Sequence, residues 1–332
     1  MNRKAFAASI GAAAVGFPQI ARATGGLEIG GRVSEPAVRV LLARGSNIPM
    51  PAQLDAWHFL WSGETYRGDF AFVRLADGKQ GLINVVPLDS YLYGVSGAEV
   101  STTWPSEVQK AQAILSRTYV MRRWRVDRPY DVLATDGDQF YCGIDGESVE
   151  RHAAVDMTAG KIVTYEKRPA SVAFSACCGG RTADPGDAGP ASVPYLRSFV
   201  DPHCVGTLYH HWEVRVPYAS IAGRLDLERA GALRSVTLRN FGNGLRPRQL
   251  RFAGTDATID VDADTFRAAA GFRVVRSTFL RAITPTGREL LVGGNGFGHG
   301  VGMCQWGARA MAASGASAAE IIAFYFPKTA IA

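Results

Sequence analysis

Beyond Ile20 the sequence has no long apolar run, so no later segment could cross a bilayer as a helix. It has no Cys-x-x-Cys pair, which removes support for a thioredoxin-like redox motif or a zinc ribbon. His-Glu-x-x-His is absent too, and so is any local His-carboxylate cluster, leaving metal-dependent hydrolysis without a signature. No internal repeat occurs, and strands and helices do not alternate in the rhythm of a doubly wound sheet. Neither sign of charge dominates. Thirty-six Lys and Arg face 30 Asp and Glu, a net charge of +6, which is mildly basic and compatible with an anionic surface.

What is present begins with an address label. Met1-Asn2-Arg3-Lys4 is basic, Ala5 to Ile20 is small and apolar, and Ala21-Arg22-Ala23 offers small residues at both positions a signal peptidase reads. This predicts a secretory signal peptide over 1–23, cleaved before Thr24, and an exported protein of the periplasm or cell wall. Pro18 and the short, Ala- and Gly-rich run argue against an anchor. Export makes nucleic acid a poor partner. It also permits disulfides among Cys142, Cys177, Cys178, Cys204 and Cys304. Five is odd, so a thiol is left over or serves a metal or partner. Cys177 and Cys178 are adjacent and are expected to pair with distant cysteines rather than with each other.

Hydrophobic residues make up 47% of the chain, enough for a substantial core. Val38 to Leu42, Trp57 to Trp61, Phe70 to Leu75 and Gly81 to Val86 read as strands, with Asp77-Gly78 as a hairpin turn. Leu88 to Val95 reads as a short helix. A longer one opens at Trp104-Pro105, with Thr103 as its N-cap, and carries Val108, Ala111, Leu115 and Tyr119 on one face before stopping ahead of Pro129. A strand is expected at Asp131 to Ala134, a helix at Ser148 to Thr158, and a hairpin of Ile162 to Tyr165 with Ala170 to Phe174. Residues 179–190 read as a loop. Strands with one helix, Ala263 to Ala270, fill 234–286; a strand at Leu290 to Val292 and helices Gln305 to Ala313 and Ala318 to Tyr325 follow. The class is α+β, with mixed β-sheets and several helices.

Two constellations carry chemistry. The first is Tyr91 to Val100, in which Glu99 lies among apolar and small residues. Burial there would suit a general acid, and Arg117 on the next helix could fix its carboxylate or a substrate group. The bland alternative is a carboxylate stabilised at the entry of the helix that starts near Pro105. The second is the glycine-rich run Gly293 to Met303, which holds His299 between two glycines. No register gives Gly-x-Gly-x-x-Gly, so it is not a dinucleotide loop; its glycines allow tight turns and close backbone approach.

Glu99 with Trp104-Pro105, Glu107, Lys110-Ala111-Gln112-Ala113 and Arg117-Thr118-Tyr119 resembles the signature of the SpoIID/LytB family (stage II sporulation protein D and amidase enhancer). Gly298-His299-Gly300-Val301-Gly302-Met303 with Gln305-Trp306-Gly307-Ala308 resembles its C-terminal block. Gln139-x-Tyr141-x-Gly143, Cys178-Gly179-Gly180-x-Thr182 and Pro194-Tyr195-Leu196 match between them, so the likeness spans roughly 80–330. It implies a SpoIID-like fold with a groove for a linear glycan: a β-rich part at 24–86 and the family region at 87–332, within which 184–285 forms a semi-independent lobe.

The resemblance further implies a lytic transglycosylase acting on peptidoglycan glycan strands in cell-wall remodelling, with Glu99 as its catalytic acid/base. Such an enzyme needs one carboxylate, because the sugar's own 6-hydroxyl is the nucleophile; ordinary glycosidases need two, about 5–10 Å apart. Arg117, Gln139, Tyr141, His299 and Gln305 are the candidate glycan contacts, each weighed against a packing or capping role. No cofactor is required. Some relatives hold zinc, and here Cys142, Cys178, Cys204, His203 and His299 fit no local zinc spacing, which leaves only a spatial cluster open; disulfides are the expected use of the cysteines. Cys304 stands where a small polar residue is expected, and Cys177 precedes the usual Cys178. The competing reading is a non-catalytic glycan-binding protein that activates a cell-wall amidase. A structural envelope or spore-coat protein is disfavoured by the His-bearing glycine loop.

Overall fold

The computed structural model describes residues 27–29, 32–124, 128–135, 137–185 and 193–332. The signal segment read at 1–23 and the end of the turn-rich stretch, 186–190, lie outside the described residues. Two compact units divide the chain: Met1–Ser171 with Ala330–Ala332, and Val172–Thr329. Both mix helices with antiparallel and parallel strands, as an α+β protein does.

In the first unit β1 (Leu27–Ile29) pairs with β2 (Arg32–Glu35). β3 (Ala37–Gly45), β7 (Asp69–Arg74), β8 (Gln80–Pro87) and β9 (Val132–Leu133) form a sheet in the order β7-β8-β3-β9. β8 lies inside it and is buried along almost its whole length, because both faces are covered. Leu82 and Val86 enter one core cluster with Val38, Val40, Tyr91 and Leu92, whereas Ile83 and Val85 enter another with Ala37, Leu41 and Val73. The expected turn at Asp77-Gly78 joins β7 to β8. β4 (Ala52–Gln53), β5 (His58–Trp61) and β6 (Glu64–Arg67) make a small second sheet.

Helix α1 (Leu88–Glu99) follows β8 directly and buries Leu88, Tyr91, Leu92 and Val95, the i, i+3, i+4, i+7 stripe of an amphipathic helix. It runs four residues past the expected end. α2 (Ser106–Arg123) is buried on most of its circumference. Pro105, not Thr103, occupies its N-cap position, and no side chain caps it. Thr103 instead shares a hydrogen bond with Ser101. Gln109, in the second turn, donates to the Thr102 and Trp104 carbonyls and pins the link between the two helices. α3 (Val149–Asp156) is capped by Ser148, as its sequence suggests. β10 (Val163–Tyr165) pairs with β11 (Arg168–Pro169) and with the chain's end at Ala330–Ile331.

Arg117 binds these helices together. Only 2% exposed, it donates from Nε and Nη2 to Asp89 Oδ1 in α1, at 3.2 and 2.8 Å. Its remaining donors reach the carbonyls of Val155, Thr158 and Lys161 at and beyond the end of α3. The planar fork thus ties three carbonyls and a carboxylate together at once.

The second unit opens with β12 (Phe174–Ser175). The expected hairpin forms between β10 and β11, with the Ala170 amide donating to the Val163 carbonyl at 2.8 Å, but its return strand is shorter than the Ala170 to Phe174 span expected: β12 pairs in parallel with β19 (Met303–Cys304), far along the chain. β13 (His211–Pro217), β17 (Leu280–Thr286) and β18 (Glu289–Asn295) form a sheet with β18 central. β14 (Leu233–Phe241), β15 (Pro247–Gly254) and β16 (Thr258–Asp262) form another, with α4 (Tyr218–Ala222) and α5 (Ala263–Ala270) alongside. Trp212, Val216, Leu250, Phe252, Phe266, Leu290 and Val292 share one core. α6 (Gln305–Ala313) and α7 (Ala318–Tyr325) have the expected bounds, and Ser317 with Glu320 forms a capping box on α7.

Arg117→Met removes the clamp between Asp89 and the three carbonyls. We expect a loss of about 3–5 kcal/mol, read as a lower urea midpoint with unchanged slope. A variant of native stability that fails only to bind glycan would instead make Arg117 a binding residue.

Candidate functional site

Glu99 is the last residue of α1 and is half-buried. The next helix, α2, begins seven residues further on, at Ser106. The carboxylate stands at the negative end of its own helix, where an anion is disfavoured by roughly 0.3–1 kcal/mol rather than stabilised. Its charge acts on Tyr91 and Tyr119. Burial holds both phenols well above the usual tyrosine range, and the Asp138 and Glu99 carboxylates add to the effect.

Asp138 was not anticipated as part of this neighbourhood. Its carboxylate accepts from Tyr119 Oη at 2.6 Å, Arg123 Nε at 3.0 Å and the Leu133 amide at 2.8 Å. Those three donors commit it to holding α2 against the segment after β9. Gln139, completely buried, accepts from Tyr91 Oη at 3.2 Å, while its Nε2 has no hydrogen-bond partner among the described residues. Tyr141 is buried beside it, donates to Asn84 Oδ1 at 3.1 Å and packs its ring 5.0 Å from that of Tyr91. Between them Phe140 turns outward and is 46% exposed. Nothing in the sequence marks Phe140 as the exposed residue, because a buried glutamine beside an exposed phenylalanine inverts the usual pattern.

Arg117, Gln139 and Tyr141 lie in the same unit as Glu99, and all three are buried there. The Gln139-x-Tyr141-x-Gly143 block is tightly packed. Gly143 has φ +57°, and a Cβ there would lie 2.3 Å from the Thr65 carbonyl oxygen.

His299 and Gln305 belong to the second unit. The glycine loop's backbone is engaged by protein: Phe297 exchanges hydrogen bonds with Cys177, and Gly298 and Gly300 donate to the Arg276 carbonyl and Ser175 Oγ. A Cβ on Gly302 (φ +72°) would meet the Ala173 carbonyl at 2.0 Å, so the loop lies directly against the strand segment before it. These amides are not arrayed for a phosphate, in keeping with the failed dinucleotide spacing. His299 is exposed, and its Nδ1 accepts from the Val301 amide at 3.0 Å. Although the residue keeps solvent access, the protein packed around it displaces enough water to lower its pKa to about 4; Arg246 and Arg267 push the same way, and a hydrogen bond with the Phe174 backbone opposes them. Gln305 is buried in the first turn of α6.

The cysteines differ from expectation. All five are free thiols, and Cys178, Cys204 and Cys304 gather with Asp201 in the second unit. The neighbouring thiols of Cys177, Cys178 and Cys304 pull the Cys204 thiol well below the usual range.

The stage II sporulation protein family model matches residues 76–165, the segment that holds β8, α1, α2 and α3 and includes Glu99. An uncharacterised protein of Brachyspira hyodysenteriae is 30% identical over 274 residues, covering 81% of this chain and 72% of that protein. The stage II sporulation protein D of Bacillus subtilis is 26% identical over 74% of each chain. The amidase enhancer of Bacillus subtilis is 27% identical over 72% of this chain but only 40% of its own length. The chain belongs to the SpoIID/LytB family.

At neutral pH His299 is expected to be an uncharged imidazole. Because its folded pKa lies below the unfolded value of about 6.5, its contribution to stability is complete above that pH and is lost as the pH falls toward 4. Proton NMR of the His299 ring should show a midpoint near 4; a midpoint near the unfolded value would mean a freely solvated ring.

Proposed function

We propose that this protein is an exported cell-wall protein that cleaves peptidoglycan glycan strands as a lytic transglycosylase, with Glu99 as its acid/base. Glu99 protonates the glycosidic oxygen and so releases the leaving sugar. The resulting carboxylate takes the proton of the 6-hydroxyl on the same muramyl residue, and that oxygen closes onto the anomeric carbon. A 1,6-anhydro end forms, one bond breaks, one forms, and no water is consumed. Glu99 ends protonated, ready for the next cycle. Positioned proton transfer of this kind contributes roughly 10²–10⁴-fold, and the attached nucleophile avoids the entropy cost of capturing a second reactant.

The observation that carries this reading is the state of the neighbouring carboxylate. Asp138, the other carboxylate whose charge reaches Tyr91 and Tyr119, is held by Tyr119, Arg123 and the Leu133 amide, an arrangement suited to support rather than to activating a water as a second carboxylate would. Membership of a family that includes a stage II sporulation protein D supports a cell-wall role. Among the described residues no helix is long and apolar enough to cross a membrane, which agrees with release by the proposed signal peptide. The outward ring of Phe140 offers an apolar face on which a pyranose can stack. His299, with a neutral ring at physiological pH, is suited to hydrogen bonding with sugar hydroxyls rather than to pairing with charge.

A second reading rests on the similarity to an amidase enhancer: a glycan-binding protein that activates a separate amidase without cutting strands. Digestion of purified denuded glycan strands separates the two. Wild-type protein should release anhydro-ended fragments, and Glu99→Gln should lower that rate by at least about 10²-fold while glycan binding persists. Binding without fragments from either protein, together with stimulation of an added amidase, would favour the activator.

A further inference from the structure

Sulfur atoms of Cys178, Cys204 and Cys304 and a carboxylate oxygen of Asp201 lie within 4.8 Å of one another, and all four residues are buried. They come from three separate stretches: the segment after β12, the turn-rich stretch that follows Val200, and the junction of β19 with α6. Cys178 Sγ is 3.5 Å from Cys204 Sγ and 3.2 Å from Asp201 Oδ2. We propose that these four groups hold a single zinc ion in a closed structural site that ties the three stretches together. The proposal does not depend on the transglycosylase reading, since its ligands all belong to the second unit and Glu99 to the first.

Ligand chemistry and spacing both fit. Zinc bonds of about 2.3 Å to sulfur at a tetrahedral angle put sulfur pairs about 3.8 Å apart, close to the observed separation. Three sulfurs and one carboxylate make a soft to borderline set, which selects zinc over magnesium or calcium. The surroundings are arranged for thiolates. Backbone amides of Cys178 and Gly307 point at Cys304 Sγ, at 3.2 and 3.3 Å, and that of Gly180 points at Cys204 Sγ at 3.2 Å. These donors offset the negative charge that three thiolates and a carboxylate leave on a zinc centre. Asp201 is oriented in turn: Tyr325 Oη donates to Oδ2 and the His203 amide to Oδ1, both at 2.9 Å.

The other nearby groups are accounted for. Cys177 lies beside Cys204 and Cys304 but outside the group of four, with its Sγ 3.8 Å from Thr207 Oγ1, and His210 Nδ1 lies 3.9 Å from Cys204 Sγ. Arg246, wholly buried, donates to the Cys178 carbonyl at 3.0 Å and contributes positive charge beside the cluster. When zinc binds, each thiol gives its proton to solvent, so occupancy falls as the pH is lowered.

The test uses the full chain, purified without chelator and assayed for metal by inductively coupled plasma mass spectrometry. One zinc per chain is expected, lost in Cys204→Ser and Cys304→Ser and retained in Cys142→Ser. Should the first two variants fail to fold, cobalt titration of the reduced wild-type protein decides. Thiolate-to-cobalt charge transfer and the visible bands of tetrahedral cobalt, saturating at one equivalent, support the site. Wild-type protein that holds no zinc and gives no such bands overturns it. So does an intact mass short by two hydrogens, with Cys178 and Cys204 recovered in one disulfide-linked peptide.

Discussion

The close approach of α1 to the Gln139–Gly146 segment positions everything else around Glu99. A Cβ at Gly94 would stand 2.5 Å from the Gly143 carbonyl oxygen and 2.7 Å from the Tyr141 ring, and one at Gly146 would stand 2.3 Å from the Gly94 carbonyl. Backbone therefore meets backbone at mid-helix. Asp89 anchors the start of the same helix through Arg117, and Gln109 fixes the chain just beyond its end. A carboxylate mounted this way is held by packing at three places along its helix. That is what proton transfer at a defined oxygen demands, because displacements near 1 Å cost about 10²-fold in rate.

Seen in these terms, much of the family signature is scaffold. Arg117 clamps helices, Tyr141 fills the space behind Tyr91, and the glycines of the His299 loop admit carbonyls and side chains where a methyl group would collide. The family model ends at residue 165, within the first unit, so the part of the chain it matches contains Glu99 and its supports but neither His299 nor the cysteine cluster. Few signature residues are left facing outward. Phe140 and His299 are among them, one apolar and one polar, and both suit a carbohydrate ligand.

Local patterns carried the sequence reading a long way. The bounds of α6 and α7 followed from helical periodicity and the Gly315 break, and the β7–β8 hairpin from Asp77-Gly78. What escaped was non-local. The β12–β19 pairing joins two-residue strands more than a hundred residues apart, and nothing in either segment announces the other. The cysteine and aspartate cluster is hidden for the same reason, since its members lie on three stretches and no short spacing records them. Thr103 looked like an N-cap because Ser and Thr usually serve there, yet Pro105 begins the helix and the threonine bonds locally to Ser101. Arg117 reads as a site residue because an arginine near a candidate acid is ambiguous in sequence; its burial and its bonds to Asp89 and three carbonyls are visible only in three dimensions.

The central claim is that a single carboxylate on α1 cuts the strand by delivering the sugar's own hydroxyl. The most direct measurement is digestion of denuded glycan in water enriched in the heavy oxygen isotope, followed by mass spectrometry of the new reducing-side ends. The account predicts anhydro ends that carry no label, because no water enters the product. Labelled reducing ends formed at the moment of cleavage would contradict it and would require a second carboxylate to activate water.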